Sequence, residues 1–295
     1  MPLVSVVMTV RNGERFLEEA VTSVLAQEGA PLELLVVDDA STDGTAALLA
    51  SILDERLKVI RLAHQVGPFA AANVGLECAR GDFIARLDAD DVALPGRLER
   101  QVEAFEHSPD VGLVGGACER IDVTGASLGP HDVPRSDLAI RLRALLAPPF
   151  VHSTVMWRAS LGLRYEPALR VAGDYELWCR ALEKTRALNL GEPLVRYRVW
   201  AGGITGTQGA LQQATQDEIS FRALRRHLPD LDVDREAVTV LRRWSLEGQV
   251  APMPEPARRL IAQLEAAFFG VAPELARAVH APLGSWGQPL AHATA

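Results

Sequence analysis

The first 110 residues alternate apolar runs of strand length with longer stretches of helical periodicity. Val4 to Val10 is one such run, followed by a turn at Asn12-Gly13 and a helical pattern from Glu14 to Gln27. The unit recurs, with strands predicted at 33–37, 57–62 and 83–87 and helices at 45–53, 69–79 and 97–107, the last preceded by Pro95 at a first helical position. Strands joined by crossover helices form largely parallel sheets covered on both faces, so the sequence predicts an α/β fold.

Polar residues follow the predicted strands, where a doubly wound sheet binds its ligands. The residues beyond the first, second and fourth strands are Thr9, Val10, Arg11, Asn12, then Asp38, Asp39, Ala40, Ser41, Thr42, Asp43, then Asp88, Ala89, Asp90, Asp91. Two acidic groups at neighbouring strand ends would repel each other unless a cation or a ligand rich in hydrogen-bond donors compensates them. The pattern therefore favours a nucleotide together with a metal ion.

Asp88 and Asp90 stand two residues apart in a predicted turn. Their carboxylates could hold a hard divalent cation and leave coordination positions open for phosphate oxygens and water. A metal there would neutralise a diphosphate leaving group. The alternative is an acidic turn that caps the following helix, because Asp is common in loops and favourable near helix N-termini.

From about Val111 the pattern changes to short mixed runs. We predict a helix at 136–146, strand-like segments at 151–157 and 193–200, and a helix at 174–183. Beyond Gly202-Gly203 the chain is rich in Ala, Arg and Leu with helical periodicity to about Phe269, and the final 12 residues, 284–295, are expected to be frayed. We expect one domain over 1–205 that is divided near residue 110, where the pattern changes, and a helical extension over 206–295.

Several segments occur together in the order and spacing of one enzyme family. They are Val4 to Gly13, Val37 to Thr45, Arg86 to Asp91 with Pro95, Arg97, Leu98 and Gln101, His152 to Arg158, Gly173 to Trp178, and Tyr197-Arg198. In these segments the chain resembles a family 2 glycosyltransferase of the GT-A fold, similar to enzymes that build bacterial surface polysaccharides. The resemblance covers roughly residues 3–205 and implies a mostly parallel, Rossmann-like sheet flanked by helices. It also implies that residues 1–110 form a nucleotide-binding half and residues 111–205 an acceptor half.

The resemblance also implies an activity: inverting transfer of a sugar from a nucleoside diphosphate sugar, a UDP-sugar foremost, to a saccharide or lipid-linked saccharide acceptor. Thr9, Val10 and Arg11 would border the nucleoside, and Asp38 or Asp39 would accept a hydrogen bond from the base. Asp88, Ala89 and Asp90 would bind the ribose and diphosphate, with Asp90 foremost and Asp88 second as ligands of Mn²⁺ or Mg²⁺. Asp174 matches the catalytic base, which takes the proton of the attacking hydroxyl; its alternative role is that of an N-cap.

Three positions depart from the family pattern. Arg11 stands where an aromatic residue is usual, Ala72 where an Arg commonly precedes Asn73, and Trp200 where a His commonly approaches the metal. These departures motivate a second hypothesis, a nucleotide-sugar-binding module that has lost activity. His152 is conceivable as a substitute ligand, but a lone His in an apolar strand is more often a hydrogen-bonded structural residue. A third hypothesis, an aspartyl phosphotransferase, lacks a matching downstream Lys and acidic pair.

The charge balance and the Cys content bear on partners and location. With 30 Lys and Arg against 38 Asp and Glu, the net charge of −8 disfavours a general nucleic-acid binder. The three Cys residues lack C-x-x-C spacing, and neither a signal peptide nor an apolar run of roughly 18 residues is present, so we expect a cytoplasmic protein. Basic amphipathic stretches occur at 135–146 and 222–244. They could make a peripheral contact with the inner face of the membrane. The alternative is that they are ordinary packed helices with a basic face exposed to solvent.

Overall fold

The strands of the protein form one sheet that spans both predicted halves of the main domain. The computed structural model describes residues 1–203, 207–246 and 252–268, and within these ranges the sheet has nine strands in the order β3-β2-β1-β4-β8-β6-β9-β5, with β7 paired to β6. The strands are β1 Val4–Val10, β2 Leu32–Asp38, β3 Leu57–Arg61, β4 Phe83–Arg86, β5 Val92–Ala93, β6 Val111–Ile121, β7 Ser127–His131, β8 Met156–Arg158 and β9 Arg186–Arg198.

Helices cover the sheet and continue beyond it. They are α1 Leu17–Leu25, α2 Thr45–Ser51, α3 Pro68–Cys78, α4 Arg97–His107, α5 Asp137–Leu146, α6 Gly173–Leu182, α7 Gly209–His227, α8 Arg235–Leu246 and α9 Glu255–Phe268. The predicted segments of the first 110 residues are confirmed to within a few residues. Pro95 was predicted wrongly, because α4 begins at Arg97 behind a left-handed Gly96, which places Pro95 outside the helix.

The strands β3, β2, β1 and β4 pair in parallel, as the strand-helix alternation predicts. Successive side chains of β1 point to opposite faces of the sheet: Val6 joins one apolar cluster with residues of α1 and α4, and Val7 joins another with residues of α3 and α6. Helix α3 lies so close to the sheet that a Cβ atom at Gly75 would come within 2.6 Å of Val7 Cγ1. Two buried aliphatic faces therefore hold the strand ends in place.

The second half adds mixed pairings to this parallel core. Strand β8 runs antiparallel to β4 and β6, whereas the long β9 runs parallel to β6 and antiparallel to β5. The predicted strand at 151–157 is wrong in its first part, because His152–Thr154 is a short 3-10 helix that precedes β8. The predicted strand at 193–200 is only the end of β9, which begins at Arg186.

The C-terminal helices pack on α5. Leu145 and Leu146 of α5 share an apolar cluster with Leu224 of α7, Leu241 of α8 and Leu260 of α9. The buried Arg242 side chain of α8 donates to the Leu146 carbonyl of α5 and to the side chains of Asp217 and Gln216 of α7. The predicted fraying at 284–295 lies outside the described residues, and no helix in the described ranges is long and apolar enough to span a bilayer.

Candidate active site

The predicted site residues gather at the carboxyl ends of β2, β1 and β4. Val10 pairs with Asp38 in the register of β1 and β2, and the Asp39 amide donates to the Val10 carbonyl over 2.9 Å. Asp88 follows β4 on the opposite side of β1. The two acidic groups are therefore separated by a strand, which corrects the expectation that they end neighbouring strands.

The first acidic group, Asp38 and Asp39, accepts hydrogen bonds from the protein's own backbone at three of its four carboxylate oxygens. Asp39 accepts the amides of Val66 at 2.7 Å and Gly67 at 2.9 Å, and so holds the loop that follows β3. Asp38 accepts the Ser41 amide at 2.8 Å, and its other oxygen, Oδ2, is buried without a hydrogen bond, 3.6 Å from Arg61 Nε. These backbone donors offset the negative charge, so this cluster does not by itself require a cation.

The end of β1 offers both side-chain and backbone groups. Thr9 is half-buried, and the Val10 side chain lies in the core, so Val10 can present only its backbone to a ligand. Arg11 is exposed, and its guanidinium donates to the Asp39 carbonyl over 3.2 Å. Arg11 thus places a solvent-exposed cation beside the first acidic group.

The second acidic group, Asp88-Ala89-Asp90-Asp91, forms a turn held from two sides. Ser153 Oγ accepts the Asp88 amide at 3.0 Å and donates to the Asp91 carboxylate. On the other side, the Arg198 amide donates to Asp91 Oδ1 at 2.7 Å, and Arg198 Nε donates to the Asp90 carbonyl at 2.8 Å. We call residues 88–91 the acidic turn.

Trp200 closes over the acidic turn from the end of β9. Its indole N–H donates to Asp90 Oδ2 over 2.8 Å, and its ring meets Phe16 edge-on with centroids 5.2 Å apart. The Trp200 ring lies so close to Gly202 that a Cβ atom there would come within 2.1 Å of it. The residue that replaces the family's usual His therefore contacts the predicted metal ligand as a hydrogen-bond donor.

His152 contacts Asp88 from the short 3-10 helix. Its Nδ1 lies 3.2 Å from both Asp88 oxygens, and its Nε2 lies 2.8 Å from the Tyr165 hydroxyl. The prediction of a hydrogen-bonded His is confirmed, but its partners lie in the candidate site. Tyr165 was not predicted, because it stands in an irregular segment of the sequence and only the fold brings it to the site.

The carboxyls of the acidic turn differ in their pKa values. Burial alone would raise the pKa of Asp88, but the charge and hydrogen bond of His152 and the charge of Arg86 lower it below its usual value. Burial and the charge of Asp88 raise the pKa of Asp90, and burial with the charges of Asp90 and Asp88 raises that of Asp91 well above its usual value. The turn thus carries more carboxyl groups than its surroundings readily keep ionised.

Buried basic side chains lie beneath the turn. Arg97 donates to the Arg86 carbonyl at 2.7 Å and to Gln101, and Gln101 in turn donates to the Thr154 carbonyl at 2.8 Å. Burial lowers the pKa of Arg97 to about 9 against the opposing charges of Asp91 and Asp88. The conspicuous Arg97 and Gln101 of the sequence motif are therefore supports that join β4, α4 and the 3-10 helix.

Asp174 is the second residue of α6, which begins at Gly173 after a left-handed Ala172. Its alternative role as an N-cap is wrong, since Ala172 occupies that position.

A Cβ atom at Gly173 would come within 2.6 Å of the Phe69 ring, which stacks on Tyr165 at 5.5 Å between centroids. Burial raises the pKa of Tyr165, Arg86 opposes the rise, and the charges of Asp88 and Asp174 add to it. The charges of both carboxylates thus act on the pKa of the Tyr165 hydroxyl.

The site has the donor set that a divalent cation requires. Mg²⁺ and Mn²⁺ in phosphate-transferring sites are held by one or two carboxylates, with substrate phosphates and water completing the shell. Asp88 and Asp90 form such a pair, and the pKa of Asp90 is raised first by burial and then by the charge of Asp88, which a cation would neutralise. No cluster of three or more His, Cys, Asp or Glu side chains suited to a metal occurs in the described ranges, so the ligand would have to complete the shell.

The sequence and the fold of the chain are similar to those of known proteins. The family model for Glycosyl transferase family 2 matches residues 5–158. The chain belongs to glycosyltransferase family 2. Among relatives, the succinoglycan biosynthesis protein ExoO of Rhizobium meliloti is 36% identical over 202 residues, 62% of this chain and 56% of ExoO.

Another relative and a solved structure are informative. The UDP-Glc:alpha-D-GlcNAc-diphosphoundecaprenol beta-1,3-glucosyltransferase WfgD of Escherichia coli is 29% identical over 224 residues, 70% of this chain and 81% of WfgD. The crystal structure of S. aureus TarS 1-349 in complex with UDP-GlcNAc superposes with a TM-score of 0.61 at 19% identity, covering 92% of this chain and 82% of that one. This family 2 chain therefore has the predicted GT-A fold, with a helical part at its C-terminus.

The family departure at Ala72 is explained by packing. Ala72 is buried in the apolar cluster that contains Phe69 and Leu76, on the side of α3 that faces the sheet. A cation at this position of this family 2 chain would have to displace core residues. Any protein cation for a bound phosphate must therefore come from elsewhere.

Proposed function

We propose that the protein is an inverting, metal-dependent glycosyltransferase that moves a sugar from a UDP-sugar to a saccharide or lipid-linked saccharide acceptor in polysaccharide biosynthesis. The observation that carries the proposal is the position of Tyr165, which hydrogen-bonds His152 beside Asp88 and lies under the electrostatic influence of Asp174. The charges of Asp88 and Asp174, the carboxylates that we propose for the donor side and the acceptor side, both act on the Tyr165 hydroxyl. The names of ExoO, WfgD and the TarS complex support the polysaccharide, the lipid-linked acceptor and the UDP-sugar respectively.

In the proposed reaction Asp174 acts as general base. The acceptor hydroxyl gives its proton to the Asp174 carboxylate while its oxygen forms a bond to the anomeric carbon, and the bond from that carbon to the diphosphate breaks. Attack opposite the leaving group inverts the configuration. Asp174 lies in the first turn of α6, where the helix dipole favours a negative side chain.

On the donor side, we propose that Asp90 and Asp88 would hold Mn²⁺ or Mg²⁺. When bound, the cation neutralises charge that develops on the departing diphosphate. The protein's own part is to orient the two carboxylates: Trp200 and Arg198 fix Asp90, and His152 fixes Asp88. Ala89 would border the ribose between them.

For the nucleoside, we propose that Thr9, Val10 and Arg11 line one side of the base, with Arg11 stacking where an aromatic residue is usual. Asp38 and Asp39 stay the predicted acceptors for the ring N–H. Because a carboxylate offers about four lone pairs, Asp39 can accept from the base besides the two loop amides.

We also propose a domain boundary near residue 205, between the sheet-bearing domain and a helical extension. The predicted boundary falls at residues 204–206, outside the described ranges. Several arginines of the basic stretches are engaged within the protein, with Arg141 bound to Asp137, Arg226 to Glu183 and Arg242 to Asp217. Peripheral membrane contact and a cytoplasmic location stay predictions; co-sedimentation with anionic vesicles tests the first.

Calorimetry with UDP in the presence and absence of Mn²⁺, followed by a hydrolysis screen of nucleotide sugars, tests the proposed function. We expect UDP binding that depends on Mn²⁺, donor hydrolysis that EDTA abolishes, and loss of the metal dependence in Asp90→Asn. Metal-dependent binding without hydrolysis or transfer would instead favour the inactive binding module, which the Trp200 contact to Asp90 motivates. A covalent aspartyl phosphate detected by mass spectrometry would favour the phosphotransferase.

A further inference from the structure

His152 and Tyr165 form a hydrogen-bonded pair that the proposed reaction does not use. His152 Nδ1 is equidistant from the two Asp88 oxygens at 3.2 Å, and Nε2 is 2.8 Å from the Tyr165 hydroxyl. The His152 side chain is 15% exposed and Tyr165 is 2% exposed. The pair therefore lies behind Asp88, largely shielded from water.

The chemistry of the partners fixes the direction of the hydrogen bond to Asp88. An ionised carboxylate can only accept, so Nδ1 must carry the hydrogen that faces Asp88. The Tyr165 hydroxyl can either donate to Nε2 or accept from it. Tyr165 thus holds the imidazole in the orientation from which Nδ1 donates to Asp88.

Tyr165 is itself held firmly. Asn73 of α3 makes two bonds to its backbone, donating from Nδ2 to the Tyr165 carbonyl and accepting the Tyr165 amide at Oδ1, both over 2.9 Å. The Phe69 ring stacks on the Tyr165 ring with an interplanar angle of 21°. The hydroxyl therefore has a fixed place from which to orient the imidazole, and being neutral it adds no charge between Asp88 and Asp174.

We propose that His152 and Tyr165 are positioning residues for Asp88: Tyr165 fixes the orientation of the His152 ring, and His152 holds the Asp88 carboxylate in the orientation that receives the metal-bound diphosphate. The inference rests on the proposed donor-side function of Asp88. A hydrogen bond shared between both carboxylate oxygens fixes the plane of the group, so its loss lets the carboxylate rotate. Removing such a partner of a metal-binding residue typically costs about 10–100-fold in affinity.

Calorimetry of UDP in saturating Mn²⁺ tests the pair without relying on turnover. We expect His152→Ala to weaken UDP binding by at least about tenfold. Tyr165→Phe, which keeps the ring packed on Phe69, should weaken it by a smaller factor. If Tyr165 acts through His152, the double variant should bind like His152→Ala alone, because the two losses are not additive. His152→Asn, which can place an amide N–H near the former Nδ1, should recover part of the affinity.

Tyr175→Phe is the matched control. It also removes a buried tyrosine hydroxyl, one that donates to the Ala144 carbonyl over 2.7 Å, but that bond points away from the acidic turn toward α5. It should lower thermal stability about as much as Tyr165→Phe and leave UDP affinity unchanged. If both tyrosine variants weaken UDP binding equally, the effect is structural and the inference is wrong.

Asp88→Asn separates this inference from the proposed function. If Asp88→Asn loses UDP–Mn²⁺ affinity while the folded His152 and Tyr165 variants bind like the wild type, the positioning role is refuted and the proposed site stands. If Asp88→Asn binds like the wild type, the donor-side assignment fails and the inference falls with it. Additive losses in the double variant would show that Tyr165 does not act through His152.

Discussion

Replacing Arg198 by Lys tests how the acidic turn is held in place. The Arg198 side chain is 2% exposed and makes bonds in three directions: to the Asp90 carbonyl at 2.8 Å, the Asp122 carbonyl at 3.2 Å and the Glu19 carboxylate at 2.6 Å. Its guanidinium also lies 4.4 Å from the centroid of the Phe16 ring. Lysine keeps the charge, but a single ammonium group cannot reach all three acceptors.

The expected cost follows from these contacts. A hydrogen bond from a charged donor contributes about 1.5–3 kcal/mol, and Lys can satisfy one carbonyl but not both. The Glu19 carboxylate is 49% exposed, so losing that ion pair adds less than about 1 kcal/mol. Arg198→Lys should therefore lower the free energy of unfolding by about 3 kcal/mol, and, because the Asp90 backbone loses its anchor, it should also weaken UDP–Mn²⁺ binding.

Urea unfolding of Arg198→Lys and Arg196→Lys, measured side by side, provides the comparison. Arg196 lies on the same strand and pairs with Glu119 at 3.5 Å, but both side chains are about a third exposed. Its guanidinium also donates to the Gly125 carbonyl, a single acceptor that Lys can still reach, so its replacement should cost no more than about 1 kcal/mol. Equal unfolding midpoints and slopes for the two variants would refute the claim that Arg198 anchors the turn.

Two further predictions concern stability and the base. Burial would raise the pKa of Glu33, but hydrogen bonds from Lys58, Ser5 and Arg80 lower it from 4.5 to about 2. The ionised form of Glu33 therefore contributes about 3 kcal/mol to the free energy of unfolding above pH 4.5, and this contribution is lost as the pH falls toward 2. Glu33→Gln should flatten the unfolding free energy between pH 5 and pH 2, on a scale of about 3 kcal/mol, and an unchanged acid profile would contradict this. Gly173→Ala should press on Phe69, cost about 1–3 kcal/mol and lower turnover more than UDP affinity; full turnover would show that the start of α6 does not position Asp174.

The first half of the fold could be predicted because its signals are local. The apolar run from Val4 to Val10 and the periodicity from Arg97 to His107 each lie within one element, and both are confirmed with their boundaries. The second half could not be read in the same way. The length of β9 depends on its pairing with β6, and the 3-10 turn at His152 depends on contacts with the acidic turn.

The candidate site shows the same division. The spacing of Asp88 and Asp90 is visible in the sequence because a short turn carries both. The Trp200 contact spans 110 residues and the Tyr165 contact joins two irregular segments, so neither has a local signal. The hydrogen bonds that Asp38 and Asp39 accept from backbone amides could not be predicted, because these amides belong to loops whose course the sequence does not specify.

The role of Asp174 as base is the central claim, and turnover by Asp174→Asn tests it most directly. The donor is whichever UDP-sugar the wild type hydrolyses in the presence of Mn²⁺. Glu176→Gln is the matched control, since Glu176 lies in the same first turn of α6 and pairs with Arg180 at 2.6 Å. We predict that Asp174→Asn loses at least about 10²-fold in turnover while its UDP affinity and the Glu176→Gln activity stay near wild type. Turnover by Asp174→Asn at the wild-type rate would contradict the account.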